Sequence, residues 1–310
     1  MDVMNVMNGN GFAGFAESWQ IHLRAKGRSP GTIALYLSKL RRFAAWLEAT
    51  DRPVDPLRVT RRDAEAYLAG MVDEGSAPNT IRGNWIALRS FFGWLVDEDE
   101  IDVSPLAKID APKVPDVLVD LLNDDALARL FSATEGRDFE DRRDHAIVRT
   151  LVATGLRVSE LAGLRVSDVD IASGLLTVRR GKGGDPRIVA VGPKALAALD
   201  RYRRARSRHP AAEMEWFWLG RGRGSGGRLT DRGIQQMLYR RGDQAGIPGL
   251  HPHQLRHQFA HEWLSQGGTE GDLMTVGGWS DPGVMRRYGA AAQRERALAS
   301  QRRLAPGDRL

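Results

Sequence analysis

Four short segments hold the residues whose types and spacing suit work on a phosphate. TGLRVSEL places Arg157 two residues beyond a helix-stopping Gly155. Glu160 follows three residues on, on the same helix face, where its carboxylate can orient the guanidinium. HPHQLRHQFAH gathers His253, Arg256 and His257 around the first turn of an expected helix, with Leu255, Phe259 and Trp263 apolar behind them. RRGKGGDP sets Lys182 between two β-type runs, and Tyr288 stands near the C-terminus. Guanidinium groups grip phosphate oxygens with a planar pair of donors. The chain has no cysteine, so a covalent intermediate can form only on oxygen, a Lys amine or His. Taken singly, each segment has an ordinary reading, such as a surface ion pair or a solvated turn lysine. Their order along one chain makes the case.

The charge distribution points to a polyanionic partner. Residues 1–110 carry 13 Lys/Arg against 15 Asp/Glu, while residues 111–310 carry 32 against 24, so the net charge of +6 arises from the C-terminal part. A local basic surplus supplies sequence-independent affinity for nucleic acid by releasing counterions. Only six of the 45 cations are lysines, a bias that genomic base composition alone can also produce.

The elements that position these residues follow from periodicity and capping. Phe12, Phe15, Trp19 and Leu23 fall at helical spacing, and Ser29-Pro30 opens a second helix through Ile33, Leu37, Leu40, Phe43 and Leu47. Thr60 with Asp63 forms a capping-box pattern before Tyr67, and Ile81, Trp85, Leu88, Phe92 and Leu95 mark a further helix. Three prolines in PLAKIDAPKVPD break the periodicity, which sets the linker at about 104–118. Beyond it, Asn123 caps a helix, a second helix runs over about Phe139–Thr154 to the Gly155 stop, and a third carries RVSELAGL. LLTVRR and RIVAV, joined by a glycine-rich turn, read as a β-hairpin over 175–191. RGRGSGGR, residues 221–228, reads as a glycine-rich loop, with a backbone-tracking role for its arginines as the alternative.

Length and composition set the class. At roughly 100–200 residues per domain, 310 residues predict two domains. A content of 42% hydrophobic and 27% charged residues is that of a globular protein. No window approaches the roughly 18 apolar residues of a membrane span, and MDVMNVMNGNGF lacks a secretory signal pattern, so the expectation is a cytoplasmic protein without a membrane partner.

In their order, TGLRVSEL, the lysine of RRGKGG, HQLRHQFAHEWL, GGWSD and a tyrosine nine residues after its tryptophan resemble the tyrosine recombinase (phage integrase) family, in its simple Xer-like form. SPGTIALYLSKLRRFAAWL and NTIRGNWIALRSFFGWL are similar to that family's core-binding domain, so the resemblance spans nearly the whole chain. It implies a mainly α protein: a helical core-binding bundle over 1–110 and a mixed α catalytic domain over 111–310 with a small antiparallel β-sheet. The C-terminal tail occupies about 290–310. It also implies roles. Arg157 and Arg256 form the arginine pair, Lys182 is the hairpin lysine, His253 the first histidine, Trp279 stands where most members have His, and Tyr288 is the nucleophile. Glu160 and His257 are supporting residues. The partner implied is double-stranded DNA bearing specific sites, bound by a homotetramer that exchanges C-terminal tails, with no cofactor. An indole at 279 can donate to phosphate but cannot shuttle a proton, which leaves acid–base work to His253 and Lys182. About a dozen residues precede the first helix, too few for an arm-site-binding domain, so a short simple site is expected.

Three other readings have specific features in their favour. His251, His253, His257 and His261 suggest a metal hydrolase, but HQFAH lacks the glutamate of H-E-x-x-H and no third ligand stands at a familiar spacing. A non-catalytic DNA-binding regulator would explain the basic helices but has no need of Tyr288. A type IB topoisomerase-like enzyme would nick and reseal without exchanging partners.

Overall fold

The computed structural model describes residues 11–115, 121–179, 186–221, 227–279, 298 and 301–302. Lys182 and Tyr288 lie outside the described residues. The chain divides into two compact units, Met1–Asp116 and Val117–Leu310. No helix among the described residues is long and apolar enough to cross a membrane.

The first unit is built from four helices: α1 (Phe12–Ala25), α2 (Pro30–Ala49), α3 (Arg61–Asp73) and α4 (Pro78–Asp97). Local chemistry sets their starts. The Ser29 hydroxyl accepts from the Thr32 N–H with Pro30 at the first helical position. The reciprocal Thr60–Asp63 box opens α3. Aromatic rings fill the centre, with Trp19 against Phe91 at 5.2 Å and Phe43 against Tyr67 at 5.0 Å between centroids. Tyr67 keeps its hydroxyl paired by donating to Asn84 Oδ1, and burial pushes its pKa up to about 12. The linker expected at 104–118 starts later. Leu106 is fully buried in this core and the Trp85 indole donates to Ile109 O, so apolar anchors hold residues that proline content alone assigns to an extended connection.

The second unit is helical around a small sheet. Its helices are α5 (Asp124–Ala133), α6 (Phe139–Thr154), α7 (Val158–Ala162), α8 (Pro193–Arg206), α9 (Asp231–Gln244), α10 (Pro252–Ser265) and α11 (Glu270–Gly277). Strands β1 (Val169–Asp170), β2 (Leu175–Val178) and β3 (Arg187–Ala190) form an antiparallel sheet in the order β1-β2-β3. The expected hairpin is present as β2 and β3, with Leu176 opposite Val189, and β1 adds a third strand. Leu176, Val178 and Val189 face the core, while Ile188 faces solvent.

Helix α6 is the hub, packing on α5, α8 and α10. It ends at Gly155, whose φ of 59° is left-handed, and a Cβ there would run into the Phe259 ring of α10. Part of the basic surplus is structural. Asp144, fully buried on α6, accepts from Arg143, Arg240 and Arg241, tying α6 to α9. Arg206 donates to the carbonyls of Ala212, Met214, Trp216 and Phe217. The expected loop at 221–228 is held at both ends, by an Arg221–Glu140 ion pair and by Arg228 stacked 3.6 Å over the Trp216 ring; residues 222–226 lie outside the described residues.

Candidate active site

The α6 stop, the start of α7 and the first turn of α10 meet the end of α11. Arg157 immediately precedes α7. Its backbone N–H donates to Glu160 Oε2 at 3.0 Å and its Nη1 to Glu160 Oε1 at 2.9 Å, so the spacing read from TGLRVSEL yields the ion pair it predicts. Helix α10 is capped by the His251 ring, whose Nδ1 accepts from the Gln254 N–H, with Pro252 at the first helical position. That cap sets His253 and Arg256 three residues apart at the helix start. Leu255 and Phe259 anchor the opposite side in apolar contacts.

The end of α11 organises three guanidiniums. Its last carbonyls lack helical partners, and each of three successive ones accepts from a different arginine. Arg187 Nε donates to Val276 O at 2.7 Å, Arg256 Nη2 to Gly277 O at 2.8 Å and Arg157 Nη2 to Gly278 O at 2.6 Å. The partial negative charge of a helix C-terminus adds to each contact. Arg256 also donates to Gly155 O at 2.6 Å, which links the two catalytic candidates through the turn between α6 and α7. Gly278 is left-handed at φ 66°, and a Cβ on it would press on the Arg187 guanidinium.

Glu160 is shared. Its buried carboxylate accepts from Arg157 and also from Arg187, through Nη1 at 3.0 Å and Nη2 at 2.8 Å. Burial alone would raise its pKa, but the Arg187 hydrogen bonds, the Arg157 N–H and both positive charges outweigh burial and hold the carboxyl below its ordinary value. Arg187 is the site residue that motif reading misses. One signal for it exists in the sequence. In RIVAV it shares the inward parity of Val189 and Val191, where a charged residue needs a buried partner.

Trp279 lies beneath Arg256, whose guanidinium carbon is 3.7 Å from the ring centroid, so the indole supports that arginine through a cation–π contact. His253 is exposed at the rim of the cluster. Partial desolvation and then the charges of Arg256, His251 and Arg157 push its imidazole pKa down, which favours the neutral, proton-accepting ring. His257, half-buried, lies one turn on, its ring 6.3 Å from that of His253. Arg157, Glu160, His253, Arg256, His257 and Trp279 are thus brought together; Lys182 and Tyr288, outside the described residues, are not placed. The Arg157 side chain remains 34% exposed, which leaves it accessible to a ligand. Among the described residues no three His, Asp or Glu side chains are gathered to hold a metal ion.

Comparison with known proteins gives this cluster its family. The Phage integrase family matches residues 120–295, and the phage integrase N-terminal SAM-like domain matches residues 16–99. The chain is 30% identical over 267 residues to tyrosine recombinase XerD of Listeria monocytogenes, covering 85% of this chain and 89% of that one. It is 30% identical over 249 residues to tyrosine recombinase XerC of Thermodesulfovibrio yellowstonii, covering 78% and 79%. Among solved structures, XerA recombinase aligns at 25% identity and TM-score 0.53, covering 93% of this chain and 98% of that one. XerH recombinase bound to palindromic difH substrate shares the fold at 18% identity and TM-score 0.72, covering 89% and 81%. The chain belongs to the phage integrase family and is a tyrosine site-specific recombinase.

Proposed function

We propose that Tyr288 is the nucleophile and that the cluster around Glu160 holds the scissile phosphate for it. The phenol oxygen attacks phosphorus, the bond to the 5′ oxygen breaks, and a 3′-phosphotyrosine forms. Because the phosphodiester is exchanged rather than hydrolysed, the reverse reaction reseals DNA without a nucleotide cofactor. A phenol, with an unperturbed pKa near about 10, both attacks and leaves more readily than an aliphatic alcohol. Arg157 and Arg256 bind non-bridging oxygens, where charge concentrates in the transition state. His253 accepts the phenolic proton. Lys182 gives a proton to the departing 5′ oxygen, a step open to an ammonium and closed to an always-charged guanidinium. Trp279 and Glu160 act through the arginines they hold, and His257 supports the same cluster.

The observation that carries this reading is the seating of Arg157 and Arg256 on adjacent carbonyls, Gly278 O and Gly277 O, with His253 one turn from Arg256. Two guanidiniums are thereby held side by side without a carboxylate cancelling both. The partner is double-stranded DNA, bound by the first unit as a core-binding domain and by the second as the catalytic domain, in the cytoplasm where DNA is found. A homotetramer with exchanged C-terminal tails would join two sites. Strand exchange for integration, excision or resolution follows from pairwise cleavage.

The test uses nicked duplexes taken from DNA flanking the gene, incubated with wild type and Tyr288→Phe and resolved on denaturing gels. A covalent adduct with wild type alone, mapped to Tyr288, is the expected result. Binding by both proteins with an adduct from neither would overturn the nucleophile assignment.

A further inference from the structure

Several arginines of the second unit pair with nearby carboxylates. Asp144 takes Arg143, Arg240 and Arg241; Asp168 takes Arg179; Glu215 takes Arg165. One concave surface gathers arginines that have no such partner. Helix α6 carries Arg142, His145 and Arg149 at helical spacing on one stripe, and α8, packed along it, carries Arg201 and Arg204, with Arg208 just past its end. Between them lies a cavity of about 590 Å³ whose charged lining is Arg142, His145, Arg201, Arg204 and Arg208 with a single carboxylate, Glu135. This is within the roughly 300–1,000 Å³ of small-ligand sites.

Carboxylates are scarce there. Asp200 is occupied by Arg203 and Arg204, and Glu135 interacts with His145 and Arg149 only at longer range. Among the described residues no carboxylate lies within 4.0 Å of Arg142, Arg149, Arg201 or Arg208. Arg149 instead stacks on Phe131 at 3.5 Å and donates to His145 Nε2 at 3.3 Å, while His145 Nδ1 pairs with Thr134 Oγ1. His145 and Arg149 both sit below their ordinary pKa values, through desolvation first and then through neighbouring positive charge. Like charges gathered around a concave surface destabilise the fold unless an anion offsets them. The cavity is not the scissile-phosphate site, since ten residues of α6, about 15 Å along its axis, separate His145 from Gly155.

We propose that this cavity is a second anion site, for a multiply phosphorylated ligand held by Arg142, Arg201 and Arg208. Guanidinium forks suit phosphate oxygens, and a cavity of this size takes more than one phosphate. The phosphates can come from a small polyphosphate or from a run of nucleic-acid backbone, and the experiment separates these sources.

Full-length protein is unfolded thermally with inorganic triphosphate, with a short duplex of arbitrary sequence, and with sodium sulfate at matched ionic strength. Wild type is expected to gain several degrees at saturating triphosphate or duplex over the sulfate control. The Arg201→Glu/Arg208→Glu double variant should lose that gain, and the milder Arg142→Gln should reduce it, while Arg157→Gln, altered in the catalytic cluster, keeps it. A gain with triphosphate that the double variant loses assigns the site to a small ligand, and such a loss with duplex alone assigns it to backbone phosphates. An equal gain in wild type and the double variant, a gain reproduced by sulfate, or a gain lost only in Arg157→Gln would overturn the proposal.

Discussion

Two buried carboxylates at opposite ends of α6 collect arginines in different ways. Near its start, Asp144 takes three guanidiniums, and Asp141 and the Leu219 and Ala133 carbonyls take further donors of the same arginines. Just beyond its end, Glu160 takes two guanidiniums, and these and Arg256 also donate to backbone carbonyls at Gly155 and along the end of α11. The first arrangement closes its charges inside the fold. The second sets one carboxylate, shared by Arg157 and Arg187, against three guanidiniums and meets their remaining donors with neutral carbonyls, so positive charge is left over. The arginine cluster around Asp144 thus differs from the one proposed to receive phosphate in the share of carboxylate among its acceptors.

Breaking the first cluster should produce the largest effect, on stability. Asp144→Ala leaves buried guanidiniums without their carboxylate and should cost about 3–5 kcal/mol, read as a lowered denaturant midpoint. Cleavage per folded molecule should change little. Arg256→Gln should do the reverse, slowing adduct formation roughly 100- to 1000-fold, about 2.7–4 kcal/mol, with duplex binding retained in gel-shift assays. Comparable losses of stability in both variants would remove the distinction between the clusters.

Arg187→Gln sharpens the comparison, because Arg187 touches Glu160 and Val276 O rather than the phosphate. As a positioning residue it should cost about 10- to 100-fold in cleavage rate, with partial recovery in Arg187→Lys and unchanged DNA affinity. Gly278→Ala should follow, with about 1–2 kcal/mol of left-handed strain visible in thermal unfolding and a weaker cleavage defect as Arg187 is displaced. The smallest effect is in pH. The proposed base, His253, can accept a proton only when neutral, and its depressed pKa keeps it neutral to lower pH than an ordinary imidazole. The acid limb of the cleavage rate should lie at lower pH than an ordinary imidazole would give, and it should be missing from the slower His253→Gln.

Much of the mainly helical fold is legible in the sequence because its signals are local. Ser29, Thr60 and Asn123 cap helices through contacts three residues away, and Gly155 stops α6 because its left-handed conformation suits glycine. The Arg157–Glu160 pair is legible for the same reason, being three residues apart on one helix start. The linker is read too early because prolines signal an extended path but say nothing of Leu106, whose burial depends on a core assembled elsewhere. Arg187 escapes motif reading because its partners, Glu160 and Val276, lie 27 and 89 residues away.

By itself the sequence determines which residues stand at helix starts and stops, and so which arginines and histidines occupy adjoining turns, because capping and helical periodicity act over three or four residues. Only the tertiary structure decides which arginines become structural and which face a phosphate. For the cluster around Glu160 that choice rests on acceptors far away in the chain, such as Gly278 O, 121 residues beyond Arg157.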